Sequence, residues 1–181
     1  MAKAGIHFYD DNVKRQVLAH VGRNLNAAAI YVQTAARRNV RPGGPSGFKT
    51  SRGSGGLLGS IGREVNTRTL RASVGSNLRY ARIQELGGMI TPKDAKHLAV
   101  PISDEAKKSR GPRFMSDLVY IPRTGKSALL ARTGAGAGLE VHWVLVDQVI
   151  LPPRPYLRPA LLGNRSRVTQ ILTRPMPKGG K

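Results

Sequence analysis

The sequence predicts an α+β fold: an antiparallel β-sheet packed by a long N-terminal helix and a C-terminal helix, with long Gly/Pro-rich loops. Three observations predict it. Apolar residues recur every three or four positions over residues 13–35, short β-prone runs fill the middle, and an apolar pattern of helical period follows the prolines at 152–159. Of 181 residues 40% are apolar and only 5% aromatic, so the core must rest on Val, Ile, Leu and Ala. One α+β domain over 1–174 is expected, followed at 175–181 by a disordered basic tail.

Asp10, Asp11 and Asn12 offer N-cap side chains whose carboxylates suit a helix dipole. Val13, Val17, Val21, Leu25, Ala28, Val32 and Ala35 then fall on one stripe of a helix of roughly 25 residues, about 40 Å long. Arg37 and Arg38 stand where a helix C-terminus favours cations. Residues 39–60 read as a Gly/Pro/Ser loop, and between Arg37 and Arg63 there are six basic residues and no acid. A stretch of this kind is a mobile linker or an arm that orders on a partner surface. On the second reading, deleting 43–55 leaves a folded protein. Leu57, Leu58 and Ile61 open a strand region, and runs at 61–66 and 69–75 suit a hairpin with Leu70, Ala72 and Val74 inward.

The stretch 80–101, YARIQELGGMITPKDAKHLAVP, begins with Tyr80, Ile83 and Leu86 at i, i+3, i+6, a short helical segment with those residues as core anchors. Gly87 and Gly88 stop it, Pro92 and Lys93 turn the chain, and 98–101 reads as a strand. Residues 102–116 look like a solvated insertion; strands are expected at 118–122 and 127–131, and one long strand at 140–151 that ends at Pro152 and Pro153. A C-terminal helix starts between Pro155 and Pro159, with Leu157, Leu161, Val168 and Leu172 as its apolar face and Pro175 as its stop.

Formal charge is +20, from 30 Lys and Arg against 10 Asp and Glu. Such a surplus favours a polyanionic partner, either nucleic acid or an acidic protein surface. With no cysteine, disulfides and thiolate metal sites are excluded. No apolar run reaches the length of a signal peptide or a membrane span, so a soluble cytoplasmic protein is expected unless it leaves in a particle.

Gly125-Lys126-Ser127 resembles the end of a phosphate-binding loop, but the glycine required five positions earlier is Tyr120. Gly134, Gly136 and Gly138 lack the helix and acid of a dinucleotide site. The histidines, His7, His20, His97 and His142, are scattered without metal-ligand spacing. His20 is placed on the polar side of the first helix, and His142, alternating with Val141 and Trp143, faces solvent or a neighbouring subunit. Asp147 stands alone, and Glu85 is equally suited to a buried salt bridge and a functional role. No acid/base pair or nucleophile is assembled, so no enzyme, no catalytic residue, no cofactor and no metal are expected. Nucleic-acid recognition motifs are likewise missing, and the spread of basic residues fits non-specific phosphate contact.

Two motifs taken together carry a resemblance. Tyr80-Ala81-Arg82-Ile83-Gln84-Glu85-Leu86-Gly87-Gly88 followed by Pro92-Lys93-Asp94-Ala95-Lys96-His97-Leu98-Ala99, and near the C-terminus Pro152, Arg154, Pro155, Tyr156, Leu157, Pro159 and Ala160, resemble the virion morphogenesis proteins of tailed phages, the Mu-like tail-completion and neck group. The resemblance covers roughly residues 57–162; the basic loop at 39–56 and the heavy charge lie outside the group's pattern. It implies a structural protein of the head–tail junction: a homo-oligomeric ring, commonly hexameric, between the head portal or adaptor and the tail tube or tail terminator, with genomic DNA passing non-specifically through its axis. It implies assembly in the host bacterial cytoplasm and no membrane partner. Residues expected to face subunits or partners are Arg41, Phe48, Lys49, Arg52, Arg110, Arg113, Arg154, Tyr156 and Arg158. Those expected to shape the subunit are Tyr80, Ile83, Leu86, Gly87, Gly88 and Pro92. The alternative is a free, non-specific nucleic-acid-binding basic protein.

Overall fold

The computed structural model describes residues 11–48, 51–123, 127–134 and 138–177, with only the backbone for 51–55. Lys49 and the tip residues 124–126 and 135–137 lie outside the described residues, as do 178–181 of the expected tail. In chain order the elements are α1 (Asp11–Val40), α2 (Ser51–Ser60), β1 (Gly62–Asn66), β2 (Arg71–Gly75), α3 (Ala81–Leu86), β3 (Gly88–Ile90) and β4 (Leu98–Pro101). There follow α4 (Asp104–Lys108), a 3-10 turn at Pro112–Phe114, β5 (Val119–Pro122), β6 (Ser127–Thr133), β7 (Leu139–Val146), β8 (Val149–Leu151), α5 (Leu157–Leu162) and α6 (Arg165–Leu172). The fold is α+β with antiparallel sheets, as expected.

Contacts divide the chain into two compact units where one domain is expected: unit 1, up to Leu86 and again from Pro153, and unit 2, Gly87–Pro152. In unit 1 the 30-residue α1 packs on the β1–β2 hairpin and on α5 and α6. Its buried face is Ala28, Ala29, Val32, Ala36 and Val40. Val13 and Val17 of the expected stripe are exposed, because the elements that cover α1 reach only from His20 onward. The core adds Phe48, Leu57, Ile61, Ala81, Tyr156 and Ala160.

Two expectations for this unit change. Residues 51–60 are a helix and not loop or strand, with Leu57 and the following Ile61 fully buried against α1. Residues 41–48 are packed as well: Phe48 is buried and the Ser46 hydroxyl donates to the Pro155 carbonyl at 2.6 Å. Deleting 43–55 would therefore take a core side chain with it, and the dispensable arm is withdrawn. In the hairpin, paired Gly62↔Gly75 to Asn66↔Arg71, Ala72 and Val74 are half-buried as expected. Leu70 is not inward; it sits in the turn at φ 51 with its side chain exposed.

Unit 2 holds a four-stranded antiparallel sheet, β4-β7-β6-β5, and a separate β3–β8 ribbon. The expected single strand at 140–151 breaks at Asp147, where the chain leaves the larger sheet to pair with β3. A bulge then changes the face of two side chains. Leu130 pairs with Trp143 but Ala131 pairs with Val141, which leaves His142 as the extra residue, so His142 and Trp143 are both buried in succession. The expected insertion at 102–116 is anchored by Ser103, whose hydroxyl accepts the N–H of Ala106 as the α4 N-cap, and by the buried Ala106. Among the described residues no helix is long and apolar enough to cross a membrane.

Replacing Leu57 by Ala is expected to destabilise unit 1 by about 3 kcal/mol, whereas Leu70→Ala changes stability by less than about 0.5 kcal/mol. Urea denaturation followed by circular dichroism measures both, and equal effects would show that α2 is not part of the core.

Candidate functional site

The two stretches that carry the sequence motifs meet at one carboxylate. Glu85, on the last turn of α3, accepts the backbone N–H of Tyr156 at 2.7 Å and of Leu157 at 2.9 Å on Oε2, and that of Arg158 at 2.9 Å on Oε1. These are the N–H groups that the start of α5 leaves without helical partners, and Pro159, in the same first turn, has none to offer. A negative charge over them combines charge-assisted bonds with a favourable helix dipole. Beside it the Arg154 N–H donates to the Gln84 carbonyl at 2.7 Å, and Asn39 Nδ2 donates to the Tyr156 carbonyl at 3.0 Å. Glu85 is thus a backbone cap, and among the described residues it forms no salt bridge.

This joint reassigns the expected anchors. Ala81 is the buried side chain of α3, Glu85, one turn on, is half-buried like Ile83, and Tyr80 is 41% and Leu86 63% exposed. The i, i+3, i+6 pattern placed the stripe one residue away from the face that the carboxylate requires. Gly87 does make the forced turn, at φ 69, where a side chain would be strained, and Gly88 follows at φ 144. Pro92 is half-buried in the irregular stretch before β4.

Of the expected partner-facing residues, Tyr156 is fully buried and Phe48 nearly so, so neither is available to a partner. Arg154 is half-buried with its guanidinium carbon 5.7 Å from the Phe48 ring centroid, a cation–π contact inside unit 1. Arg41, Arg110, Arg113 and Arg158 are exposed, and of Arg52 only the backbone is described. Arg110 and Arg113 belong to unit 2 and the others to unit 1.

A different set of cations is gathered, along the seam between α1 and β1. Arg63 donates to Gln33 Oε1 at 2.6 Å and to Asn26 Oδ1 at 3.4 Å, and Arg37 donates to the Ile61 carbonyl at 2.8 Å. Farther along the same side of α1, Arg23 and Arg68 line an open groove of about 670 Å³ with Gly22, Asn26, Val65 and Thr67. Gly22 admits the hairpin there, since a Cβ on it would meet the Thr67 methyl at 2.9 Å. The signal in the sequence was the helical spacing of Arg23, Asn26, Gln33 and Arg37, but nothing local reveals that Arg63 and Arg68 lie beside them.

His7 lies outside the described residues, and the other three histidines move from their expected places. His20 is buried and its Nε2–H donates to the Arg174 carbonyl at 2.8 Å, while Asn24 Nδ2 donates to the same carbonyl at 3.1 Å and to that of Leu172 at 3.3 Å. Both side chains therefore cap the C-terminal end of α6. His97 and Asp147, expected to be single, form a pair at 2.8 Å. His142 has no exposed surface; its Nδ1 is 2.7 Å from the Ser103 hydroxyl and 3.9 Å from Glu105, which Arg132 also contacts. The Ser103 oxygen also accepts the Ala106 N–H of the α4 cap, and the His142 ring is sealed from solvent, so this contact ties α4 to β7. Among the described residues no group of three His, Asp or Glu could hold a metal ion. Comparison with protein-family models, curated proteins and solved structures finds no match to this chain.

Two measurements bear on the joint. Glu85→Ala is expected to destabilise unit 1 by about 3 kcal/mol in urea denaturation, because three N–H groups lose an ionised acceptor at once; a loss under about 1 kcal/mol would show that water caps α5 equally well. The second concerns Tyr156, whose phenol is pushed up to about 12 by burial, with the neighbouring Glu85 carboxylate and Tyr80 adding to it. Its hydroxyl has no hydrogen-bond partner. Below pH 10 the phenol is neutral folded and unfolded, so its full contribution is present; between pH 10 and 12 only the unfolded chain ionises, and roughly 2 to 3 kcal/mol is lost. Tyr156→Phe removes that slope, so the denaturation midpoint of the parent should fall relative to that of the variant as pH rises from 9 to 11.5.

Proposed function

We propose that this chain is a structural virion protein of a phage head–tail junction, a tail-completion or neck subunit that assembles into a homo-oligomeric ring, as hexamers in the group it resembles. The observation that carries the reading is the Glu85 joint. The motif around Gly87-Gly88 and the motif around Pro155-Tyr156-Leu157, 70 residues apart in sequence, act as two halves of one structural device. Sequence motifs that fix a joint between elements, with no reacting group in them, suit a protein whose work is shape.

Exposed apolar side chains support an assembled state. Met89 and Ile150 are cross-strand partners in the β3–β8 ribbon and both lie on the surface, Ile150 at 72% exposure. Phe114, in the segment 102–116, is 70% exposed. Side chains of this size facing water are what a neighbouring subunit or ring would cover. The portal or adaptor on the head side and the tail tube or tail terminator on the other are the proposed neighbours.

Sedimentation of the purified chain, together with mass spectrometry of purified particles, tests the proposal. A ring in solution and a fixed copy number per particle are expected. A protein that stays monomeric and is absent from particles would favour the alternative, a free basic nucleic-acid-binding protein.

A further inference from the structure

The charge of the chain is not spread over it. Unit 1 has 21 Lys and Arg against 4 Asp and Glu, a net of +17; unit 2 has 9 against 6, a net of +3. The ion pairs follow the opposite distribution. Among the described residues every pair between a carboxylate and a Lys, Arg or His lies in unit 2: His97–Asp147, Lys107–Asp104, Arg132–Glu105 and His142–Glu105. In unit 1 the Glu85 carboxylate is committed to backbone N–H groups, and Glu64, which lines shallow surface depressions with Arg63 and with Arg68, forms no ion pair among the described residues. A surface whose cations form no ion pair among the described residues and repel one another favours an external polyanion.

We infer that the α1–β1 seam of unit 1 is a contact face for the phosphate backbone of double-stranded DNA. Arg23, Arg37, Arg63 and Arg68 set its charge. Arg23 to Arg37 spans about 21 Å of helix, close to six base pairs at about 3.4 Å each. Guanidinium is the dominant cation, 16 Arg to 5 Lys in unit 1, and its planar donor fork matches phosphate oxygens. Gln33 and Asn26 hold Arg63 by its N–H groups, and the Ile61 carbonyl holds Arg37, so part of this array is pre-positioned and not free to swing. The groove walls carry Leu18, Ala19, Gly22, Val65 and Thr67 and no aromatic ring. That omission selects between partners. A single strand is gripped by stacking its bases on aromatics, and a protein partner is anchored by aromatic hot spots, whereas a duplex backbone needs charge alone. The choice of DNA as the polyanion rests on the junction reading; the location of the face does not.

The test uses the full chain and a fluorescent 24-base-pair duplex, with anisotropy read from 50 to 200 mM NaCl. Arg23→Gln/Arg68→Gln removes two charges that make no hydrogen bond within the described structure, and Arg110→Gln/Arg113→Gln, in unit 2, is the control. The seam variant is expected to lower affinity about tenfold at 100 mM salt, with the log–log salt slope shallower by about two, while the control stays within about twofold of the parent. Circular dichroism melting establishes that both variants are folded. Parent-like binding by a folded seam variant overturns the inference. So does polyglutamate of equal charge competing as well as duplex, which would assign the face to an acidic protein, and so does tighter binding to an unstructured single strand. Particle composition separates the two readings: a chain found in particles whose seam variant binds duplex normally loses only the seam, and a chain absent from particles whose seam binds duplex loses only the junction.

Discussion

Unit 1 depends on one carboxylate placed over the start of a helix. The segment from Pro153 to Pro159 contains three prolines and opens α5 without a side-chain cap of its own. Prolines prepare a helical start by fixing φ, but they leave the other first-turn N–H groups to find acceptors elsewhere. Glu85 supplies both of its oxygens to that need from a distant part of the chain, and its position forces the face of α3 that turns inward. Asn39, Ser46 and the Phe48–Arg154 contact then fasten the same segment to the end of α1. At the other end His20 and Asn24 close the carbonyls that follow α6. The C-terminal helices are held at both ends by side chains from earlier in the chain, with apolar packing on α1 between them.

Electrostatically the two units solve opposite problems. Unit 2 comes close to charge balance at a net of +3, and Asp104, Glu105 and Asp147 each pair with a nearby cation or histidine. Unit 1 spends one of its few carboxylates on backbone groups, so its guanidiniums are restrained by neutral oxygens from Gln33, Asn26 and the main chain. Neutral acceptors orient an arginine without cancelling its field. The restraint and the residual charge are compatible for that reason, and a carboxylate in the place of Gln33 would have given the first without the second.

The elements with a strong local pattern were legible in the sequence: α1, the β1–β2 hairpin, β4, β5, β6 and the proline-led helical start near 157. What escaped was decided by distant partners. Segment 51–60 has four glycines and weak helix propensity, yet Leu57 and Ile61 are drawn into the core beside Val40. Tyr80 and Leu86 looked apolar and well spaced, but the demand of α5 for an anion turned Glu85 inward instead. Alternation assigned His142 to an outer face because a bulge opposite Leu130 and Ala131 leaves no mark in the residues on either side. The seam needed two strands' worth of tertiary contact to exist at all, since Arg63 and Arg68 are 26 or more residues from the helix positions they join.

The main-chain bond between α3 and the segment before α5 has a topological consequence. Gln84 and Arg154 are joined main chain to main chain, so the points where the polypeptide leaves unit 1 and returns to it are pinned side by side. Everything between Gly87 and Pro152 is then a closed excursion, and its first and last strands, β3 and β8, zip together immediately beyond the exit. Closing such an excursion adds only a slowly growing entropic term with its length. The cap, the core and the charged seam are all built from residues of unit 1, so a change of length or sequence within Gly87–Pro152 leaves every residue that forms them in place.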